Sequence, residues 1–349
     1  MAEVRIENLS KRFGDIQAVH DLSLTVPSGE FLVLLGSSGA GKSTTLRLIA
    51  GLEKADRGAV FLGGQDATGW HPAQRELAFV FQQFSLYPHL TVFDNLAFPL
   101  RAPGRKLAPA EIARRIHEVA GMLHIEHKLS NKATKLSGGE MQRVAIGRAL
   151  VREPKVLLMD EPMSSLDAKL REELRGELKR IQVKLGATIV YVTHDQVEAT
   201  TLADRIGVLE AGRLVQVAAP REVYDDPSSL RVAQRLGSPP INVLAPSWCV
   251  PGEVPPGAST LAIRPEDVQL ERETPAAPSH YPQERCTSCT VKGIERLGAQ
   301  IQVLLHSPHG ELRALATPGS GLARGHEVYT TLPHNKRLFF NLSGERIRT

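Results

Sequence analysis

The chain has 349 residues, enough for about two domains, and its 42% apolar and 23% charged content excludes a wholly disordered or collagen-like protein. A formal charge of +4 is too mild for a nucleic-acid binder, whose footprint is a concentrated basic face. The apolar runs fall far short of the roughly 20 residues of a spanning helix; residues 1–5 lack a signal-peptide core, and the three cysteines, all beyond position 248, do not suggest a disulfide framework, so a soluble cytoplasmic chain is expected.

Up to about Leu236, short apolar runs alternate with helical patterns, as in βαβ units around a parallel sheet. Residues 32–35, 156–159 and 188–192 read as strands buried on both faces, because such strands lose polar alternation. The first leads into Gly36-Ser37-Ser38-Gly39-Ala40-Gly41-Lys42-Ser43, a full match to G-x-x-x-x-G-K-[ST], and then into a helix over 44–50 stopped by Gly51. Glycines let the backbone turn tightly and aim amide hydrogens at phosphate oxygens. Lys42 supplies a point charge for the β- and γ-phosphates, the Ser43 hydroxyl suits Mg²⁺, and the helix N-terminus adds a positive dipole.

Next comes Leu136-Ser137-Gly138-Gly139-Glu140-Met141-Gln142-Arg143, where a serine and two glycines precede a helix expected over 141–150 and form a second anion-binding end. The second buried strand ends in Asp160 and Glu161, at the edge where loops of an open α/β sheet form the site. Asp160 is the expected Mg²⁺ holder, directly or through water, and Glu161 the expected general base for an attacking water. Leu170, Leu174, Leu178, Ile181 and Leu185 then recur at steps of three and four, an apolar helical stripe that leaves Arg171, Glu172, Lys179 and Lys184 to solvent.

From Pro239 to Pro282 ten prolines break helices and central strands alike. Residues 290–294 and 300–304 alternate as half-buried strands beyond it. The expected division is a first domain over 1–236, with a helical part at about 93–155, and a β-rich domain over 237–349. Three signals point to structure rather than chemistry. Cys286-Thr287-Ser288-Cys289 has no second pair for zinc, His124 and His127 have no third ligand nearby, and the Asn8 and Asn341 sequons have no meaning without a secretory signal.

The Leu136–Arg143 motif, taken with the phosphate loop and the Asp160-Glu161 pair, resembles the ATP-binding-cassette family, whose signature is LSGGQ. The resemblance implies a P-loop α/β cassette, with a RecA-like parallel sheet core and a helical subdomain, and an oligonucleotide-fold-like all-β domain after it. It implies a homodimer that buries two ATP molecules with Mg²⁺, the γ-phosphate of each reached by Ser137, Gly138 and Gly139 of the other copy. Glu140 departs from the signature glutamine, and phosphate contacts are expected from Ser137 and the backbone at Gly138 and Gly139 instead. By the same resemblance Phe13 stacks on adenine, and residues 36–44, Thr44 included, surround the phosphates. Gln82 reaches Mg²⁺ and the attacking water, beside Ser43 and Asp160. Asp167, in Ser165-Leu166-Asp167, lies in the loop that crosses to the partner, and His194 contacts the γ-phosphate.

Residues 85–92 resemble the segment following that glutamine in importer ATPases, where the helical subdomain receives a coupling helix of a membrane subunit. Gly237-Ser238-Pro239-Pro240-Ile241-Asn242 and residues 261–268 resemble the linker and C-terminal domain of sugar-importer ATPases. The expectation is therefore an ATPase on the cytoplasmic face of the inner membrane, with two separate permease subunits and an extracytoplasmic solute-binding protein, serving a carbohydrate or polyol. Importers of glycerol phosphate, polyamine or metal ions are the alternatives, and a non-transport cassette ATPase a more distant one. A chromosome-associated ATPase would need a long coiled coil between Gly41 and Leu136, and no sustained heptads lie there.

Overall fold

Alternation at the N-terminus builds a sheet that the buried runs do not announce. The computed structural model describes residues 2–102, 106–250, 252–272 and 286–348, in two compact units, Met1–Arg221 and Glu222–Thr349. In the first, β1 (Val4–Phe13) and β2 (Ile16–Val26) pair antiparallel and turn Val4, Ile6, Leu22, Leu24 and Val26 inward. β3 (Phe31–Leu35) follows, then α1 (Lys42–Ala50), and β4 (Arg57–Leu62) and β5 (Gln65–Asp66) complete a four-stranded sheet in the order β2-β1-β4-β5. The βαβ reading of this region thus gives way to an antiparallel layer, because its strands alternate and bury only one face.

The main sheet runs β10-β9-β3-β8-β7-β6, with β6 (Leu77–Val80), β7 (Val156–Asp160), β8 (Thr188–Thr193), β9 (Arg205–Glu210) and β10 (Arg213–Ala218). All its pairings are parallel except that of β10 with β9. Every residue of β3, β7 and β8 is buried, as expected of strands covered on both faces. Among the described residues, the α-helices α2 (Val92–Ala97), α3 (Pro109–Met122) and α4 (Gly138–Leu150) lie between β6 and β7. α5 (Ala168–Leu185) sits between β7 and β8, and buries Leu174, Leu178 and Ile181 of its stripe. Leu185, at the last turn, is 36% exposed, so the stripe frays at that end. α6 (Gln196–Leu202) follows β8.

The second unit holds α8 (Leu230–Arg235), reached through α7 (Pro220–Asp225), and two antiparallel sheets. One is β11-β12-β18-β19, from β11 (Asn242–Leu244), β12 (Thr260–Ile263), β18 (Leu338–Phe340) and β19 (Arg346–Ile347). The other is β13-β17-β14-β15-β16, from β13 (Gln269–Glu271), β14 (Cys286–Arg296), β15 (Ile301–Ser307), β16 (Gly310–Ala316) and β17 (Glu327–Thr331). Pro251, Pro275, Pro278 and Pro282 of the proline-rich stretch lie outside the described residues. Buried Arg264 ties the helical segment to this β core: its guanidinium donates to the carbonyls of Tyr224, Ala233 and Leu236 and lies 3.8 Å from the Tyr224 ring centroid. On β14, Cys286 is exposed and Cys289 buried. A strand sends residues three apart to opposite faces, so the two thiols do not converge.

Candidate functional site

The phosphate loop is held by backbone contacts that only glycine permits. A Cβ on Gly36 would come within 2.5 Å of the Leu209 carbonyl oxygen, and one on Gly41 within 2.2 Å of the Ala18 carbonyl oxygen, where φ is also +95°. Gly39 has φ +77° and open space around it, and with Ser38 it forms the exposed crest of the loop. Gly41 N-caps α1, which therefore begins at Lys42, ahead of the expected residue 44. Lys42 is 5% exposed, and its Nζ donates to the Gly36 and Ser37 carbonyls at 3.0 Å each. Ala40 is buried, whereas Ser37, Ser43 and Thr44 are half-buried at the loop and first turn.

The ends of β7 and β8 bring the acidic pair to this loop. Ser43 Oγ donates to Asp160 Oδ1 at 2.6 Å, and Lys42 Nζ lies 3.7 Å from Glu161 Oε1. Burial pushes the Asp160 carboxyl up, against the lowering pull of the Ser43 hydroxyl. Glu161 adopts φ +43°, unusual for a residue with a side chain, and its place is fixed by its N–H donating to the Val192 carbonyl at 3.0 Å and by the Ser164 hydroxyl donating to its own carbonyl at 3.0 Å. Its Oε2 lies 3.0 Å from His194 Nδ1. A hydroxyl beside a buried carboxylate is the hard-oxygen donor set that suits Mg²⁺, which keeps most of its other positions for water and phosphate. Ser43 and Asp160 therefore fit that ion.

His194 stands just beyond β8, on the turn into α6, whose N-cap Asp195 accepts from the amides of Val197 and Glu198. Below the turn, Tyr191 donates its hydroxyl to buried Glu198 at 2.8 Å. Gln82 follows β6; its side chain is exposed and makes no hydrogen bond among the described residues. Phe13 ends β1, is 44% exposed, and has the Lys11 ammonium 5.1 Å from its ring centroid. Asp167 N-caps α5, accepting from the Leu170 amide at 3.0 Å.

Ser137 N-caps α4, which starts at Gly138 rather than at the expected residue 141. The two glycines have different reasons to be there. Gly138 has open space around it, whereas a Cβ on Gly139 would come within 2.9 Å of the tip of the Leu170 side chain, which would have to turn aside. Glu140 folds back: its Oε2 accepts from the Ser137 amide at 2.8 Å and from the Ser137 hydroxyl at 3.1 Å, a capping box. Lys128 Nζ holds its other oxygen at 2.9 Å. Lys128 escapes a reading by motif, since it belongs to none; the S-x-x-E spacing of the capping box is the signal that would have placed the helix start.

Family models for an ABC transporter and for a TOBE domain match residues 19–164 and 261–339. The chain is 49% identical over 276 residues to a trehalose/maltose import ATP-binding protein of Thermococcus litoralis, covering 77% of this chain and 74% of that protein. It is 42% identical over 356 residues to an sn-glycerol-3-phosphate import ATP-binding protein of Rhizobium meliloti, covering 99% of this chain and all of that one. Among solved structures it is similar to the dimeric MJ0796, a bacterial ABC transporter cassette, with TM-score 0.57 and 34% identity over 62% of this chain and 99% of that one. A post-hydrolysis state of the same cassette, bound to ADP and phosphate, matches with TM-score 0.56 and 33% identity over 62% of this chain and 99% of that one. With a glycine-built phosphate loop, an acidic pair at its mouth and relatives alike from end to end, the chain belongs to the ABC transporter family.

Proposed function

We propose that the chain is the ATP-hydrolysing subunit of an importer for a carbohydrate or polyol, or for glycerol phosphate. The observation that carries it is the convergence of Ser43, Asp160, Lys42, Glu161 and His194, from three strand ends, into a run of contacts none longer than 3.7 Å. In this reading the loop amides and Lys42 bind the triphosphate, and Phe13 stacks on the base. Ser43 and Asp160, with Gln82 from its exposed loop, hold Mg²⁺, which would neutralise charge on the β- and γ-phosphates. Glu161 accepts a proton from the attacking water, with His194 at its other oxygen fixing that carboxylate toward the γ-phosphate. The two-copy arrangement, with Ser137 and Gly138 closing on the partner's ATP and Asp167 on the crossing loop, is supported by the exposure of Ser137 and Asp167 on the surface.

A groove of about 560 Å³ lined by Leu52, Pro72, Phe79, Phe81 and Phe98 supports docking of an apolar segment from each of two permease subunits. No helix among the described residues is long and apolar enough to cross a membrane. The pore in this reading belongs to those permeases, the chain lies on the cytoplasmic face of the inner membrane, and a solute-binding protein delivers cargo from outside. The names of the relatives favour the sugar and glycerol-phosphate classes over polyamine or metal ions.

The test is Glu161→Gln. The isosteric amide keeps the backbone anchors and removes the proton acceptor, so turnover should fall by about 10²–10⁴-fold. ATP binding should persist, and light scattering should detect a dimer that depends on ATP and Mg²⁺. Near-normal hydrolysis would remove Glu161 from its role, and a strictly monomeric variant at saturating ATP would remove the two-copy arrangement.

A further inference from the structure

Glu140 places a carboxylate in the turn that, on the reading above, meets a triphosphate. A serine hydroxyl has one proton to give. Here that proton points at Glu140 Oε2, 3.1 Å away, while the Glu140 amide donates back to Ser137 Oγ at 3.4 Å. Left alone, the carboxylate would repel an incoming phosphate. It is not left alone. Lys128, from the short helical turn Glu126–Lys128, reaches its second oxygen at 2.9 Å, with both side chains about three-quarters buried. The Ser137 amide first, and then Lys128, hold the Glu140 carboxyl below the usual range, so it stays ionised and needs this counter-charge.

We infer that Lys128 is a positioning residue for the signature turn: its ammonium anchors the second oxygen of Glu140 and offsets its charge, so that Ser137 and Gly138 meet an anionic phosphate from a turn with no net negative charge. This rests on the proposed two-copy reading and deepens it. It also gives a reason why this chain tolerates an acid at a position where the family signature has an amide. The ion pair and the capping box act together, because one carboxylate oxygen serves Ser137 and the other serves Lys128.

The experiment is a double-mutant cycle in the full chain carrying Glu161→Gln, reading by light scattering the ATP concentration that half-assembles the dimer. Lys128→Ala should raise that concentration about tenfold, the scale of one uncompensated charge several ångströms from a phosphate in a partly exposed setting. Lys128→Arg should restore it. In a Glu140→Gln background, Lys128→Ala should shift it by less than about twofold, because no acid is left to offset. Equal shifts in both backgrounds would mean that Lys128 touches the phosphate or merely supports the fold, and would overturn the inference, as would no shift in either. Thermal melts of each variant check folding independently. If the Glu161→Gln parent does not assemble with ATP, the two-copy reading falls and takes this inference with it. If the parent assembles and only the Lys128 pattern fails, the two-copy reading stands.

Discussion

Removing Arg143 should cost the first unit far more than a surface ion pair is worth. Arg143 leaves α4 and donates to the Leu123 carbonyl at 3.0 Å and to Glu177 of α5, with Glu173 at 3.5 Å on its other nitrogen. The Arg143 and Glu177 side chains are only 13% and 7% exposed, and one Glu177 oxygen already lacks a hydrogen-bond partner among the described residues. Arg143→Ala therefore strands a buried carboxylate whose other neighbour is exposed His124 at 4.0 Å. Breaking such a pair from one side costs about 3–5 kcal/mol. At roughly 2–4 °C per kcal/mol for a unit of this size, Tm should drop by about 6–12 °C at the lower figure. Thermal melts followed by circular dichroism measure the Tm and urea unfolding the free energy, and Arg143→Met with Glu177→Leu should recover most of the loss, because neither charge then remains. A single-variant loss below about 1 kcal/mol, the range of exposed pairs, would refute the reasoning.

Gly41→Ala should abolish binding of a fluorescent ATP analogue, since its Cβ would meet the Ala18 carbonyl at 2.2 Å, whereas Gly39→Ala, with open space, should show only the milder strain of its positive φ. Phe13→Ala should raise the ATP Kd about 2–10-fold, the worth of one aromatic stacking contact, as read by titration calorimetry. Burial pushes the Glu198 carboxyl above its usual range, so the fold favours its protonated form, and stability declines as pH rises through that raised value. Glu198→Gln deletes this titration: its Tm should fall less than that of the parent between pH 4 and pH 8, and parallel curves would count against a titrating Glu198.

The sheet core was legible because strands covered on both faces leave a blunt record. Residues 31–35, 156–160 and 188–193 are buried throughout, and the loops at their ends carry the chemistry. The β1–β2 layer was less legible, since its alternation is interrupted by register shifts between Ile6 and Leu9 and again near Lys11. For the site, the motifs named residue types and their order but not their contacts. Nothing in the spacing separates Gly138, which faces open space, from Gly139, which yields to Leu170. The Lys128–Glu140 pair was invisible for the same reason: it joins a helical turn to a cap across an intervening loop, a distance that no local pattern encodes.

The wedging of the phosphate loop has a consequence for nucleotide affinity. Gly36 is pressed against Leu209, Gly41 against Ala18, and the Gly212 amide donates to the Ala40 carbonyl at 3.1 Å while the His20 amide donates to the Gly212 carbonyl at 2.8 Å. Neighbouring strands thus impose the loop's shape in advance, and an arriving triphosphate forfeits little of its binding free energy to freezing a floppy receptor. Damage to the β9–β10 turn at Ala211 and Gly212, which holds none of the phosphate motifs, should accordingly appear as weakened nucleotide binding.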